Sequence, residues 1–581
     1  MIPLFISLYI LYNMGKTRRN KKPKQEKKQS SQKTLRIHKI PQNLFKKYKR
    51  LSPFELKNNL MTLAKGKNPS LVLNAGRGNP NFFNSFVRLV FARLQTACVK
   101  LSTPFLHDLD IFPRPNDMNY EKALRKEASS WPQREREFFD SYLLYIRKRA
   151  NALPSTTPNH LFHDVVISTL GCFYPSPPVI QPHLGPISRD YLHDLVLNRD
   201  LAAGTELPGM KMKPDDFDTF ATEGAAAGIL YVFNTLRNNS LLKKGDNIAI
   251  ITPIFSPYLE MPVLTDPGGY GLNIIRLKGD PSDGFSLPDT EIEKLKDKSI
   301  KALFMVNPEN PGAYSLSKKN IVKIGDIVNT ERKDLIVLSD NVYAPFAPKY
   351  YSFMMSCPQN TIEVFSLSKF FGTTGWRLGL VMIAKDNRIN GLIKKLPKRD
   401  KDRLHDRYSI ASMTPNDIPF MERLVLDSRQ VAEGHVGGLS TPQQTLIGLF
   451  LFYYMNDKTH RYRTEIQNEL KRRMVSLYSS LKTSPHITPL ATDYYNLMHI
   501  PEVTENLFGK KARDYLEKNY EYMEFLFHLA KYYHIVLLPG EGFGADEWRV
   551  RVSLANLEND DYTKISIGIN QCIKDFVRPM L

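Results

Sequence analysis

Cysteine is scarce in this chain. Its 581 residues hold four, Cys98, Cys172, Cys357 and Cys572, far apart and with no C-x-x-C pair. That spacing excludes a disulfide framework and zinc-finger-like ligand pairs, so free thiols in a reducing, cytoplasmic setting are expected and no metal is implied. Long apolar runs are also missing. Residues 2–12 and 446–455 are apolar for about ten residues each, half of the roughly 20 a bilayer-spanning helix needs. The second run reads as a buried helix. A secretory signal places positive charge before its apolar run and small residues after it; here the order is reversed. Acid is nearly absent from residues 1–50, where Glu26 stands alone against 15 Lys and Arg. This leader therefore carries +14 of the net +21, which leaves +7 for the other 531 residues. A body that is basic throughout, as in a nucleic-acid-coating protein, is excluded.

What is present describes a globular protein. With 42% apolar and 24% charged residues, the chain is not disordered as a whole, and its length suits two to four folding units. The basic leader reads as disordered, with a membrane-surface anchor, an interaction tail or a start at Met14 as other readings. Starting at Met14 exposes Gly15, but Arg19 stands where a myristoylation motif needs Ser or Thr. Order is expected from Leu51, with Ser52 capping a helix that has Pro53 in its first turn. Residues 138–149 are strongly amphipathic. From Phe217 onward, short β-rich runs end in turn chemistry and alternate with helical stretches. The strands expected are 247–252, 302–306, 335–338 and 362–365, then 535–538 and 549–554 near the carboxyl end. Continuous apolar strands joined by helical crossovers predict an α/β fold with a mostly parallel sheet. Ligands in such sheets bind beyond the carboxyl ends of the strands.

Polar residues cluster at those ends. Lys369 follows a strand within Ser366-Leu-Ser-Lys369, with Arg377 eight residues on. A partly desolvated lysine is nucleophilic and can form a Schiff base with a carbonyl cofactor. Ser366, Ser368 and Arg377 could hold a phosphate. Asp340 could keep a pyridine nitrogen protonated, making the ring an electron sink. Tyr343 and Asn310 could donate to a ring oxygen, and Phe255 could stack on a flat ring. Gly224 and Ala225 open a predicted helix whose free N–H groups suit a phosphate. Arg551 could grip a substrate carboxylate. Each has a plainer alternative, since Asn310-Pro-Gly is good turn sequence and Phe255 suits a core. Their joint occurrence carries the functional reading.

In this order the pieces resemble the fold-type-I pyridoxal-phosphate enzymes of the class I/II aminotransferase group. Asn307-Pro-Glu-Asn-Pro-Gly312, Asp340-x-x-Tyr343, Ser366-x-Ser-Lys369 and Arg551-x-Ser553 carry the resemblance. Within the group the chain is similar to the aspartate 4-decarboxylases, bifunctional aspartate aminotransferase/β-decarboxylases, through four further strings. These are Leu73-Asn-Ala-Gly-Arg-Gly-Asn-Pro80, Thr252-Pro-Ile-Phe-Ser-Pro-Tyr-Leu-Glu260, Gly438-Leu-Ser-Thr-Pro-Gln-Gln444 and Leu538-Pro-Gly-Glu-Gly-Phe-Gly544.

The resemblance implies a large cofactor domain with a mostly parallel sheet and a smaller α+β domain built from both ends of the chain. Its divisions fall at 1–50 (leader), 51–185 (extension and part of the small domain), 186–395 (cofactor domain), 396–445 (connector) and 446–581 (small domain). It implies pyridoxal 5′-phosphate as cofactor, with Lys369, Asp340 and Tyr343 catalytic. Gly224, Ala225, Phe255, Asn310, Ser366, Ser368 and Arg377 would surround the cofactor, and Tyr174 would reach a neighbouring subunit's phosphate. Arg551 and Gly76 would bind substrate, with Arg77, Arg407 or His435 for the distal carboxylate. Conversion of L-aspartate to L-alanine and CO₂ is implied, with transamination as a side activity, in a homodimer or larger homo-oligomer. A plain aminotransferase is the alternative, and a non-catalytic scaffold with a membrane- or RNA-binding leader is the alternative of another class. One departure stands out: Ala225-Ala226 replaces a hydroxyl common after the glycine, removing a donor worth about 1.5–3 kcal/mol to a charged group.

Overall fold

A computed structural model describes residues 37, 39–66, 69–102, 118–151, 156–175, 180–197, 207–265, 269–433 and 436–581. The leader's expected disorder and its anchor readings concern residues that lie almost wholly outside these. Seven strands form the main sheet: β1 Phe217–Thr222, β2 Asn247–Thr252, β3 Asn273–Lys278, β4 Ile300–Val306, β5 Ile336–Asp340, β6 Thr361–Ser366 and β7 Gly379–Ala384. Their spatial order is β1-β7-β6-β5-β4-β2-β3. All run parallel except β7, which is antiparallel to both neighbours.

The alternation of side chains places the core on both faces. Leu303 and Met305 of β4 pack with Ile321, Ile324 and Val328 from one stripe of the helix Lys318–Thr330. Phe304 points the other way and meets Phe233 of the helix Ala225–Asn238 edge to face, ring centroids 5.3 Å apart. A sheet covered by helices on both faces explains why its strands read as unbroken apolar runs rather than alternating ones.

A second sheet has three antiparallel strands, β8 Tyr495–His499, β9 Leu538–Pro539 and β10 Arg549–Ser553, with β10 central. The strand expected over residues 535–538 is two short pieces in different sheets. Ile535–Val536 pairs in parallel with Leu73–Asn74, and β9 pairs with β10. The chain bends at Leu537 because one piece must cover the amino-terminal segment while the next joins β10.

Order also begins earlier than Leu51. A helix spans Gln42–Tyr48 and docks on the helix Tyr522–Tyr533, with Tyr48 against Phe527 at 4.8 Å and Phe45 against Tyr522 at 6.4 Å. Lys49 adds a hydrogen bond to Glu547 at 3.0 Å. Basic composition hid this helix, whose apolar residues are only Leu44, Phe45 and Tyr48. The expected Ser52 cap is present, its hydroxyl accepting from Glu55 N at 3.3 Å ahead of the helix Pro53–Lys65. Residues 446–455 lie within the buried helix Thr441–Asn456. Among the described residues no helix is long and apolar enough to cross a membrane, and no cluster of His, Cys, Asp or Glu is arranged for a metal. All four cysteines are free.

Because Tyr48 is half-buried, Tyr48→Ala should lower unfolding free energy by about 1 kcal/mol. The exposed Lys47→Ala should leave it unchanged. Denaturant titration of the two variants checks this.

Candidate active site

The carboxyl ends of β1, β2, β4, β5 and β6 all reach one edge of the main sheet, and there a cavity of about 350 Å³ opens. Its walls include Ala225, Phe255, Asn310, Asp340, Tyr343, Ser366, Ser368, Lys369, Arg377 and Arg551. Residues from Ala225 to Arg377, 152 positions apart, thus meet because parallel strands deliver their ends to the same side, and the separate three-stranded sheet adds Arg551.

Asp340 ends β5 fully buried. Its Oδ2 accepts from the Tyr258 hydroxyl at 2.7 Å and its Oδ1 from Val342 N at 3.1 Å. Burial pushes this carboxyl up to about 6, because the charged form loses its hydration. Among the described residues it has no ion-pair partner. Lys369, just past β6, donates to the Gly78 carbonyl at 2.9 Å. Burial lowers its pKa, and the nearby Arg551 and Arg377 guanidinium groups lower it further.

Arg551 sits on β10, 1% exposed. Its Nη1 donates to Asn310 Oδ1 at 3.1 Å and its Nη2 to the Gly76 carbonyl at 2.9 Å, while Nε is buried without an acceptor. The rings of Tyr495 and Phe543 lie 4.5 and 4.7 Å from the guanidinium carbon, within cation–π range. Asn310 is held in a tight loop where the Gly312 amide donates to Glu309 Oε2 at 2.7 Å. A Cβ at Gly312 would fall 2.0 Å from Glu309 Oε1, so this turn requires glycine. Asn310 in turn donates weakly to the Tyr343 hydroxyl at 3.5 Å.

At the far wall, Gly224 has φ +93°, and a Cβ there would stand 2.5 Å from Arg377 Nη2. Ser366 Oγ accepts from Ser368 N at 3.1 Å, shaping the turn that leads to Lys369. Phe255 forms part of an aromatic rim with Phe54 at 5.7 Å and Tyr258 at 5.2 Å.

Not every expected residue joins. Arg407 is on the helix Lys398–Tyr408, where its guanidinium makes two hydrogen bonds to Asp427 Oδ1, at 2.9 and 2.7 Å. It does not line the cavity, and the buried Asp427 already takes its charge. Tyr174 is 68% exposed and also lies off the cavity walls. Arg77 is exposed beside the lining residue Gly78, and its charge reaches Lys57. Gly76 contributes only its carbonyl. His435 lies outside the described residues. The wall residues that were not anticipated in any role include the aromatic Phe54, Tyr258 and Tyr495. Tyr258 lay within the Thr252–Glu260 string. Tyr495 had no local signal, since only the pairing of β8 with β10 brings its hydroxyl 3.0 Å from that of Tyr343.

The profile of the family Aminotransferase class I and II matches residues 208–566. The chain belongs to this family. A bifunctional aspartate aminotransferase and L-aspartate beta-decarboxylase from a Pseudomonas species is 36% identical over 90% of this chain and 95% of its own length. An aspartate aminotransferase from Pyrococcus abyssi is 34% identical over 25% of this chain and 36% of its own. Among solved structures, the aromatic aminotransferase of Pyrococcus horikoshii superposes with a TM-score of 0.54 at 18% identity, covering 90% of this chain and all of that one. A Thermus thermophilus aspartate aminotransferase double mutant gives 0.53 at 15% identity, covering 93% and 100%. The fold is therefore that of the fold-type-I aminotransferases, and the chain is a pyridoxal-phosphate-dependent enzyme.

The cavity of this aminotransferase-family chain fits that cofactor on its own evidence. Gly224 leaves room facing the Arg377 guanidinium, beside the unpaired N–H groups that open the helix from Ala225, and this suits a phosphate. The buried Asp340 carboxylate without a counter-ion suits a protonated ring nitrogen.

An acid whose folded-state pKa is raised favours folding less as it ionises. Stability is lost as pH rises from the unfolded value near 4 through about 6. In the cofactor-free protein, Asp340→Asn should therefore raise stability at pH 7.5 by about 2–3 kcal/mol. The gain should vanish below about pH 4; urea titrations at both pH values measure it. A Cβ at Gly224 displaces Arg377, so Gly224→Ala should weaken cofactor retention at least about tenfold, the loss of one charged hydrogen bond. Dialysis followed by absorbance reads that change.

Proposed function

We propose that this enzyme removes the C4 carboxylate of L-aspartate as CO₂ to give L-alanine, with aspartate transamination as a side activity. The observation that carries the reading is the 36% identity to a bifunctional aspartate aminotransferase and beta-decarboxylase along 90% of this chain. Bound in the cavity, pyridoxal phosphate supplies an aldehyde that condenses with an amine and a cationic ring that takes up the electrons of a carbanion.

The chain's residues do the rest. Gly224, Ala225, Ser366, Ser368 and Arg377 hold the phosphate. Asp340 keeps the ring nitrogen protonated; the positive charge it then faces brings its own raised pKa back down. Tyr343 and Asn310 donate to the ring oxygen, and Phe255 stacks on the ring. Arg551 lines the cavity, and the N–H groups of its fork that are not taken by Asn310 and Gly76 would donate to the α-carboxylate, a planar anion. Lys369 removes the α-proton and delivers it elsewhere on the same face. Its lowered pKa leaves more of the amine neutral at pH 7 and able to act as a base.

Product partition depends on water. Hydrolysis after proton transfer releases a keto acid, whereas a dry site allows CO₂ to leave first. Phe54, Phe255, Tyr258 and Tyr495 supply an aromatic wall that limits water. Arg77 is the candidate for the distal carboxylate. Its exposure fits a group that must hold this anion without stabilising the ground state strongly. The exposed Tyr174 is assigned to a partner subunit's phosphate in a homodimer or larger homo-oligomer, and the compartment is assigned as cytoplasmic.

Incubation of the holoenzyme with L-aspartate should yield alanine and CO₂ with no added keto acid. Strict dependence on a keto acid would overturn the decarboxylase reading in favour of a plain aminotransferase. Lys369→Ala should abolish turnover while leaving bound cofactor, and Arg551→Lys should lower kcat/KM about 10- to 100-fold by losing the bidentate geometry.

A further inference from the structure

A larger cavity, about 630 Å³, lies at the edge of the three-stranded sheet and shares no lining residue with the catalytic one. Its wall combines the loop after β3, the segment 483–486 and the strands β8 and β10. Arg549 lines it. This side chain is only 12% exposed, yet among the described residues none of its five N–H groups has a hydrogen-bond acceptor. Its Nε is wholly buried and unpartnered. Its one ion-pair partner among the described residues is Asp546, whose Oδ2 lies 3.6 Å from Nε, beyond hydrogen-bond distance, on a side chain 71% exposed to solvent. A buried N–H without an acceptor is costly, and the rest of this guanidinium lines the cavity with no hydrogen-bond acceptor among the described residues.

The surroundings define what would satisfy it. Tyr314, Tyr478 and His499 all lie within electrostatic reach of Arg549. Burial and the neighbouring Arg549 and Arg513 hold His499 down at about 4, so it is neutral at physiological pH. The Tyr478 phenol donates to Asn496 Oδ1 at 3.1 Å, and Tyr314 donates weakly to the His486 carbonyl. Phe285 presents its ring face 5.6 Å from the guanidinium carbon. Glu502, in the first turn of the helix Ile500–Phe508, adds an acid at the rim. A guanidinium whose only anionic partner among the described residues is a solvent-exposed carboxylate out of hydrogen-bond range, beside an aromatic face and neutral Tyr and His side chains, matches a single carboxylate on a flat or apolar body. A dianionic phosphate would bring twice the charge to a site with one cation, Glu502 at the rim and Asp546 already beside Arg549, and is the poorer charge match.

We propose that this cavity is a second binding site of the enzyme, for a small monocarboxylate anchored on Arg549. It is separate from the catalytic site but built on the same strand. Arg549 and Arg551 are two residues apart on one face of β10, opposite His499 and Leu497 respectively. A ligand on Arg549 thus acts on the strand that carries the substrate-binding arginine.

Benzoate is the probe, and calorimetry on the holoenzyme counts the sites. Wild type is expected to bind one equivalent more than Arg549→Gln, whose cofactor absorbance and melting should match wild type. Arg551→Gln should retain that equivalent. The same stoichiometry in wild type and Arg549→Gln would overturn the proposal, and so would loss of the same equivalent in Arg551→Gln. Should Arg549→Gln fail to fold, Ser484→Trp closes the cavity from an exposed loop; it is expected to lose the equivalent, and its retention would overturn the proposal. Inorganic phosphate displacing benzoate at lower concentration than acetate does would overturn the monocarboxylate assignment.

Discussion

A buried arginine ties this molecule together. Arg551 is carried by the small sheet, but its two hydrogen bonds go to Asn310, beyond a strand of the main sheet, and to Gly76, near the start of the ordered chain. Desolvating a guanidinium costs several kcal/mol, and that cost is met only if its donors find acceptors. The acceptors exist only when three distant segments are in register. The charge therefore acts as a check on assembly: a misplaced β10 would leave a cation buried without partners. The flanking Tyr495 and Phe543 rings supply the remaining compensation through their negative faces.

The same constraint explains the chemistry. Placing Arg551 against Asn310 also places it near Lys369 and Tyr343, because all of them stand at the carboxyl edge of the main sheet. Repulsion from Arg551 and Arg377 then reinforces burial in lowering the Lys369 pKa. Asp340 on the other side is raised by the same burial, and both groups sit away from their ordinary values until a cofactor arrives. Groups with perturbed pKa values that face one cavity are characteristic of sites built for function rather than stability.

Much of this was legible in the sequence. Four of the seven main-sheet strands, β2, β4, β5 and β6, fall within about two residues of their expected bounds, since both faces are covered there and each reads as a mainly apolar run, whereas β1, the exposed edge strand β3 and β7 were not anticipated. Most residues gathered at the cavity were legible because they follow those strands in turn-forming motifs. Arg407 was a candidate by its neighbourhood in the chain alone, and a basic residue carries no local mark of its partner; the Asp427 carboxylate that engages it is 20 residues away. The helix Gln42–Tyr48 was not anticipated, its few apolar residues lost within a basic run.

The sequence alone determined the fold class and the residues at the strand ends, because local period and turn chemistry encode them directly, and its motifs carried the resemblance to the family. Tertiary structure alone decided which charges remain free. Arg407 is paired with Asp427, and Arg549 stands 3.6 Å from Asp546 over a second cavity, whereas among the described residues Arg551 is hydrogen-bonded only to the neutral Asn310 and Gly76 and keeps an unpaired charge at the catalytic cavity. Tyr495 joins the site and Tyr174 stays on the surface. A side chain's partners depend on contacts between segments hundreds of residues apart, and no local pattern records them.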